Sequence, residues 1–281
     1  MVHKKLSFYS KTYPPVSYTG QDELFLQIGP HQIHVLVRSR LQNIPEAWEQ
    51  FDIDVEEDWT DILKSVLQQS ELLRRNFSER HIAFSFPEVL VIPESKFSSS
   101  TTKDLCNLMF GEQHQAWIGY KKLPRHLQMM LAFRVHPNII QWIIERFPSY
   151  DTTHIYGEVI QKGIQAALPN ENRVSLYFSE KNFVMLLVSG GQLQFIQTFD
   201  YVTEDDIMYE MLNALHQLHT IPAQTAVAIS GSLTLGSALI EKMQPLFAQV
   251  GWNVISPVGI FEQVYEQYPA YYCTLLQQWM E

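Results

Sequence analysis

A chain of 281 residues is long enough for about two domains, and a 46% hydrophobic content supplies ordinary packed cores. No run approaches the roughly 18 consecutive apolar residues of a membrane span, and Met1 to Lys11 is too short and polar for a signal-peptide core, so a cytoplasmic protein without membrane insertion is expected. Residues 1–171 carry net charge −3, whereas residues 172–281 hold 3 Lys and Arg against 10 Asp and Glu; an acidic second half repels a phosphate backbone and argues against nucleic acid as a partner.

Alternation predicts strands over Leu24 to Ile28, His31 to Arg38 and Trp48 to Ile53. A helix follows over Asp58 to Arg75, with Ile62, Leu63, Val66, Leu67 and Leu72 as its apolar positions. His81 to Phe86 reads as a strand, Asn138 to Phe147 as a helix, Thr153 to Tyr156 as a strand and Glu158 to Leu168 as a helix. Pro87 to Pro137 interrupts this series and reads as a grafted subdomain. It holds a strand at Val89 to Pro93, a Ser98-Ser99-Ser100-Thr101-Thr102 loop, a helix near Lys103 to Phe110, and strands at Ala116 to Tyr120 and Gln128 to Val135. Pro169-Asn170-Glu171-Asn172 marks a joint between lobes, dividing the chain into 1–171 and 172–281.

The second half opens with three strands, Val174 to Ser179, Phe183 to Ser189 and Gln192 to Phe199, separated by Glu180-Lys181-Asn182 and by the tight-hairpin signal Gly190-Gly191. The period then changes to about 3.6: Thr203 and Asp206 approximate a capping box for a helix from Glu204 to His219. Ala226 to Ile229 is a short strand running into Ser230-Gly231-Ser232. A helix over Ser237 to Val250, kinked or divided at Pro245, a strand over Trp252 to Ile255 and a helix over Phe261 to Met280 complete the chain. Both halves therefore give the order βββ-α-β-α-β-α.

That duplicated order resembles the ribonuclease-H-like lobes of the actin, sugar-kinase and heat-shock ATPase superfamily. The fold class is expected to be α/β, an actin-like ATPase fold of two lobes with an inserted subdomain in the first. A narrower resemblance rests on Phe199-Asp200-Tyr201-x-Thr203-x-Asp205-Asp206-Ile207-x-Tyr209, on Ile229-Ser230-Gly231, and on Val91-Ile92-Pro93 with Phe97. These motifs are similar to an uncharacterised bacterial family with the actin-like ATPase fold, distantly similar to the pilus assembly protein PilM. The resemblance implies a nucleotide position between the lobes and, from the pilus protein, a scaffold that binds another protein.

In that superfamily the first turn of each lobe presents an Asp for magnesium-bound phosphate and a Gly that bares backbone N–H groups. Here the first turn, Ile28-Gly29-Pro30-His31-Gln32, has Gly29 but no carboxylate, and Pro30 lacks an N–H. The second, Ser179-Glu180-Lys181-Asn182, has Glu180 and Lys181 but no Gly. Both read as ordinary hairpin turns, with an altered phosphate cradle using Lys181 as the alternative. The adenosine-binding turn keeps one glycine in Ser230-Gly231, and a plain strand-to-helix turn explains it equally.

Asp205 and Asp206, like Glu56-Glu57-Asp58, precede or open helices and read as caps. His31 and His34 sit on opposite faces of a strand. His216 and His219 share a helix face but have no third ligand, so no metal is called for. His154, on a strand that would end facing the interlobe cleft, is a lone candidate whose simpler reading is a buried, satisfied histidine. Lys121, Lys122, Arg125 and His126 read as a solvated turn. Cys106 and Cys273 read as buried thiols, and no CxxC, P-loop, Rossmann or Gly-x-Ser-x-Gly motif occurs. The sequence thus points to a non-hydrolysing interaction or scaffold protein without a catalytic residue or obligate cofactor. The alternative is an ATP-binding protein or ATP-dependent enzyme with a rebuilt interlobe site drawn from Gly29, Glu180, Lys181, Ser230, Gly231 and His154.

Overall fold

The computed structural model of the protein describes residues 1–10, 22–53, 57–113, 115–233 and 236–280. Two compact units emerge, one of residues 1–157 with 258–263 and one of residues 158–257 with 264–281. Compactness divides the chain after Gly157, ahead of the 169–172 segment that the sequence marks as a joint.

The first unit is built on a six-stranded sheet of order β1-β4-β3-β2-β5-β9, comprising β1 (Val2–Tyr9), β2 (Glu23–Ile28), β3 (Gln32–Ser39), β4 (Ile44–Ile53), β5 (Glu79–Phe84) and β9 (Asp151–His154). Every residue of β2 is buried, as a central strand covered on both faces requires. Two helices supply apolar faces: α1 (Trp59–Gln69) buries Ile62, Leu63 and Val66, and α3 (Pro137–Arg146) buries Ile139, Ile140 and Ile143. Asp58 caps α1 by accepting the Thr60 N–H at 2.7 Å. Residues 258–263 add the start of α7 (Ile260–Gln267), and Phe261 lies against Trp48 with ring centroids 6.1 Å apart.

The inserted segment forms its own three-stranded antiparallel sheet of order β6-β8-β7, from β6 (Val89–Pro93), β7 (Trp117–Lys122) and β8 (Met129–Val135), with α2 (Ser99–Phe110) packed on it through Cys106. Arg134 of β8, 2% exposed, fastens this subdomain. Its guanidinium pairs with both Glu88 oxygens at 2.8 and 3.0 Å and donates to the last carbonyls of α2, Gly111 O at 2.6 Å and Phe110 O at 3.0 Å.

The second unit carries a five-stranded sheet of order β12-β11-β10-β13-β14, from β10 (Asn172–Phe178), β11 (Asn182–Ser189), β12 (Gln192–Asp200), β13 (Thr225–Gly231) and β14 (Gln249–Trp252). Its helices are α4 (Ile155–Ala166), most of which lies in this unit, α5 (Glu204–Gln217), α6 (Gly236–Met243) and α8 (Thr274–Met280). The core joins Val174, Leu176, Met185 and Leu187 of the sheet to Ile207, Met211 and Leu215 of α5. Gly190 and Gly191, at φ 56° and 73°, make the expected tight turn between β11 and β12.

The two sheets repeat one plan. β4-β3-β2-β5-β9 and β12-β11-β10-β13-β14 share strand order and sense, antiparallel through the first three strands and parallel through the last three. Details at the turns repeat as well. Gly29 N–H donates to Gln32 O at 3.0 Å and Ser179 N–H to Asn182 O at 2.8 Å; Ser85 N–H to Ile28 O at 3.0 Å and Ser232 N–H to Phe178 O at 2.9 Å; Ile53 N–H to His31 O at 2.9 Å and Tyr201 N–H to Lys181 O at 3.1 Å.

Several expectations need correction. Val2–Tyr9 is a strand that the sequence reading leaves without structure; it pairs antiparallel with β4, and Lys4 and Lys5 meet Glu49 and Asp52 at 2.7 and 3.0 Å. The first helix ends at Gln69 instead of Arg75, because buried Ser70 takes an extended backbone and donates its hydroxyl to Glu49 at 2.6 Å. The Ser98–Thr102 loop is the cap and first turn of α2. Pro245 follows the end of α6, so Gln249–Trp252 is a strand three residues ahead of the expected one. The final helix is two, α7 and α8, separated by a segment containing Pro269.

Candidate functional site

In each unit the expected phosphate turn and the strand beside it meet at the carboxyl ends of parallel strands, where α/β sheets bind ligands. In the first unit Gly29, Ser85, Phe86 and His154 gather there. Gly29 is buried, and a Cβ on it would lie 2.3 Å from Ser85 Oγ. Close packing against a rotatable hydroxyl therefore accounts for this glycine.

His154 is 1% exposed and both ring nitrogens are engaged. Nδ1 accepts the Tyr156 N–H at 3.2 Å, which places the proton on Nε2, 2.9 Å from Phe86 O. Burial holds its pKa down to about 4, against the raising effect of the Phe86 hydrogen bond, so the ring is neutral and has no spare atom for a ligand.

In the second unit the register Phe178↔Gly231 brings the Ser179–Asn182 turn beside Ser230 and Gly231. Lys181 is exposed and Glu180 half-buried. The turn's carbonyls are occupied: Ser179 O and Glu180 O accept from the Tyr201 hydroxyl at 3.1 and 3.3 Å. Gly231 adopts φ +97°, and a Cβ there would stand 2.1 Å from Phe178 O. Its N–H donates to Tyr271 O at 2.7 Å, and Tyr271 stacks on Trp252 with centroids 3.7 Å apart. Ser230, 1% exposed, directs its hydroxyl to Leu176 O at 3.4 Å. The Gly231 amide is thus engaged by the segment between α7 and α8.

The remaining candidates resolve into structure. Asp206 and Thr203 form a reciprocal capping box, Thr203 N–H reaching Asp206 at 2.8 Å, and these backbone donors hold the Asp206 carboxyl below the usual range. Asp205 and Glu204 both bind Lys242, at 2.8 and 3.0 Å. Glu57 pairs with the terminal amine at 2.8 Å, and Glu56 lies outside the described residues. His219 falls beyond the end of α5 at φ 52°, so it does not share a helix face with His216 as expected. His34 accepts the Trp48 indole N–H at 3.3 Å in the core. Lys121 pairs with Asp151 at 2.6 Å, and Lys122 with Glu94.

One cluster has no local sequence signal, because the parallel register of β2 and β5 assembles it. Potential ligand atoms of Glu23, Glu79 and His81 lie within 4.8 Å of one another. Arg38 already binds Glu23 at 2.5 Å and Arg40 binds Glu79 at 3.2 Å, so two guanidiniums balance the carboxylates and the group is an ion network. A surface cavity of about 430 Å³ between α1 and α3 is similarly self-satisfied, with Asn138 donating to Thr60 at 3.1 Å and Arg146 to Leu73 O at 2.5 Å.

The chain is similar in structure to several solved proteins. A Bacteroides thetaiotaomicron protein of actin-like ATPase fold and unknown function superposes with a TM-score of 0.79 at 14% identity, over 93% of this chain and 96% of that one. The PilM–PilN type IV pilus biogenesis complex matches with a TM-score of 0.49 at 11% identity, over 83% of this chain and 88% of that one. The ethanolamine utilization protein EutJ of Carboxydothermus hydrogenoformans gives 0.47 at 8%, over 85% and 86%. No protein of curated function is similar to the chain in sequence. The fold is the actin-like ATPase fold, and a profile of the protein family of unknown function DUF3822 matches residues 16–250. The chain belongs to the DUF3822 family.

Proposed function

We propose that this protein is a non-hydrolysing interaction protein in which the actin-like architecture is retained and the nucleotide chemistry is not. The observation that carries this reading is the Gly231 amide, satisfied by Tyr271 O at 2.7 Å in the turn where a nucleotide would pass. The two phosphate turns support it. Neither offers the pairing of a carboxylate with a glycine, and each spends its first N–H on closing its own hairpin. His154 is neutral and saturated, so it supplies neither a base nor a phosphate contact.

In this reading the partner is another protein. The inserted subdomain supports such a role, since α2 buries Cys106 on one side and turns Leu105, Leu108 and Met109 to solvent on another. The acidic half, residues 172–281, disfavours nucleic acid as that partner. Among the described residues no helix is long and apolar enough to cross a membrane, and a cytoplasmic location belongs to the same proposal.

Titration calorimetry with Mg-ATP and with ADP tests the reading. No heat at millimolar nucleotide is the expected result. Magnesium-dependent binding that Lys181→Ala abolishes would overturn it in favour of a site rebuilt around Glu180, Lys181, Ser230 and Gly231.

A further inference from the structure

We draw no further inference here: the strongest candidate, the apolar face of α2 on the inserted subdomain formed by the exposed Leu105, Leu108 and Met109, carries nothing, because nothing in the structure shows what covers it.

Discussion

Gly231 shows how much a single backbone position decides here. At φ +97° with Phe178 O where a Cβ would sit, Gly231→Ala is expected to cost about 3 kcal/mol or more, measured by denaturant unfolding. Gly29→Ala meets only the Ser85 hydroxyl, which can rotate, and is expected to cost about 1 kcal/mol or less. The glycine that resembles a phosphate-binding residue is thus the dispensable one. The buried histidines give a pH dependence. His34 and His154 are both held down to about 4 by burial, below the ordinary 6.5, so the unfolded chain takes up protons first as pH falls. Stability from these groups is complete above about pH 6.5 and erodes towards pH 4, a loss of about 2 kcal/mol per histidine between pH 7 and 5. Unfolding curves at the two pH values should show this loss, and His154→Gln should remove about half of it.

Among the elements, Arg134 and β1 carry most of what tertiary structure adds to local preference. Arg134→Met strips Glu88 and two α2 carbonyls of their buried donor and is expected to destabilise the inserted subdomain by about 3 kcal/mol, seen as faster hydrogen exchange confined to α2 and its sheet. Deleting Met1 to Tyr9 uncovers residues 47–53 and leaves Glu49 without Lys4 and Tyr9, so concentration-dependent association is the expected outcome in light scattering. The meander Val174 to Phe199, the capping box at Thr203 and the strand at Ala226 to Ile229 were legible because their signals are local: alternation, Gly190-Gly191, and a Thr with an acid three residues on. β1 was not, since its Lys4 and Lys5 resemble a polar terminus until Glu49 and Asp52, more than forty residues away, are beside them. The end of α1 at Ser70 was hidden for the same reason, being set by that buried glutamate and not by a Gly or Pro. Pro269 was visible, but the apolar period on both sides of it masked the break between α7 and α8.

For the whole molecule, one plan is used twice with different finishing. Matching turn hydrogen bonds, matching bulges and the same strand order tie the two units to a common design, which the repeated order of elements already announced in the sequence. Of the features that support the proposed reading, the absence of an acid-and-glycine turn from both hairpins is read directly from the sequence, whereas the Tyr271 carbonyl on the Gly231 amide depends on the segment between the last two helices returning to β13. The central claim is that these turns are closed within the chain. Hydrogen exchange of the full protein, with and without millimolar Mg-ATP, addresses it most directly: the account predicts unchanged exchange at residues 29–32, 179–182 and 229–232, with the Gly231 amide protected throughout, and nucleotide-dependent protection at these turns accompanied by phosphate release would contradict it.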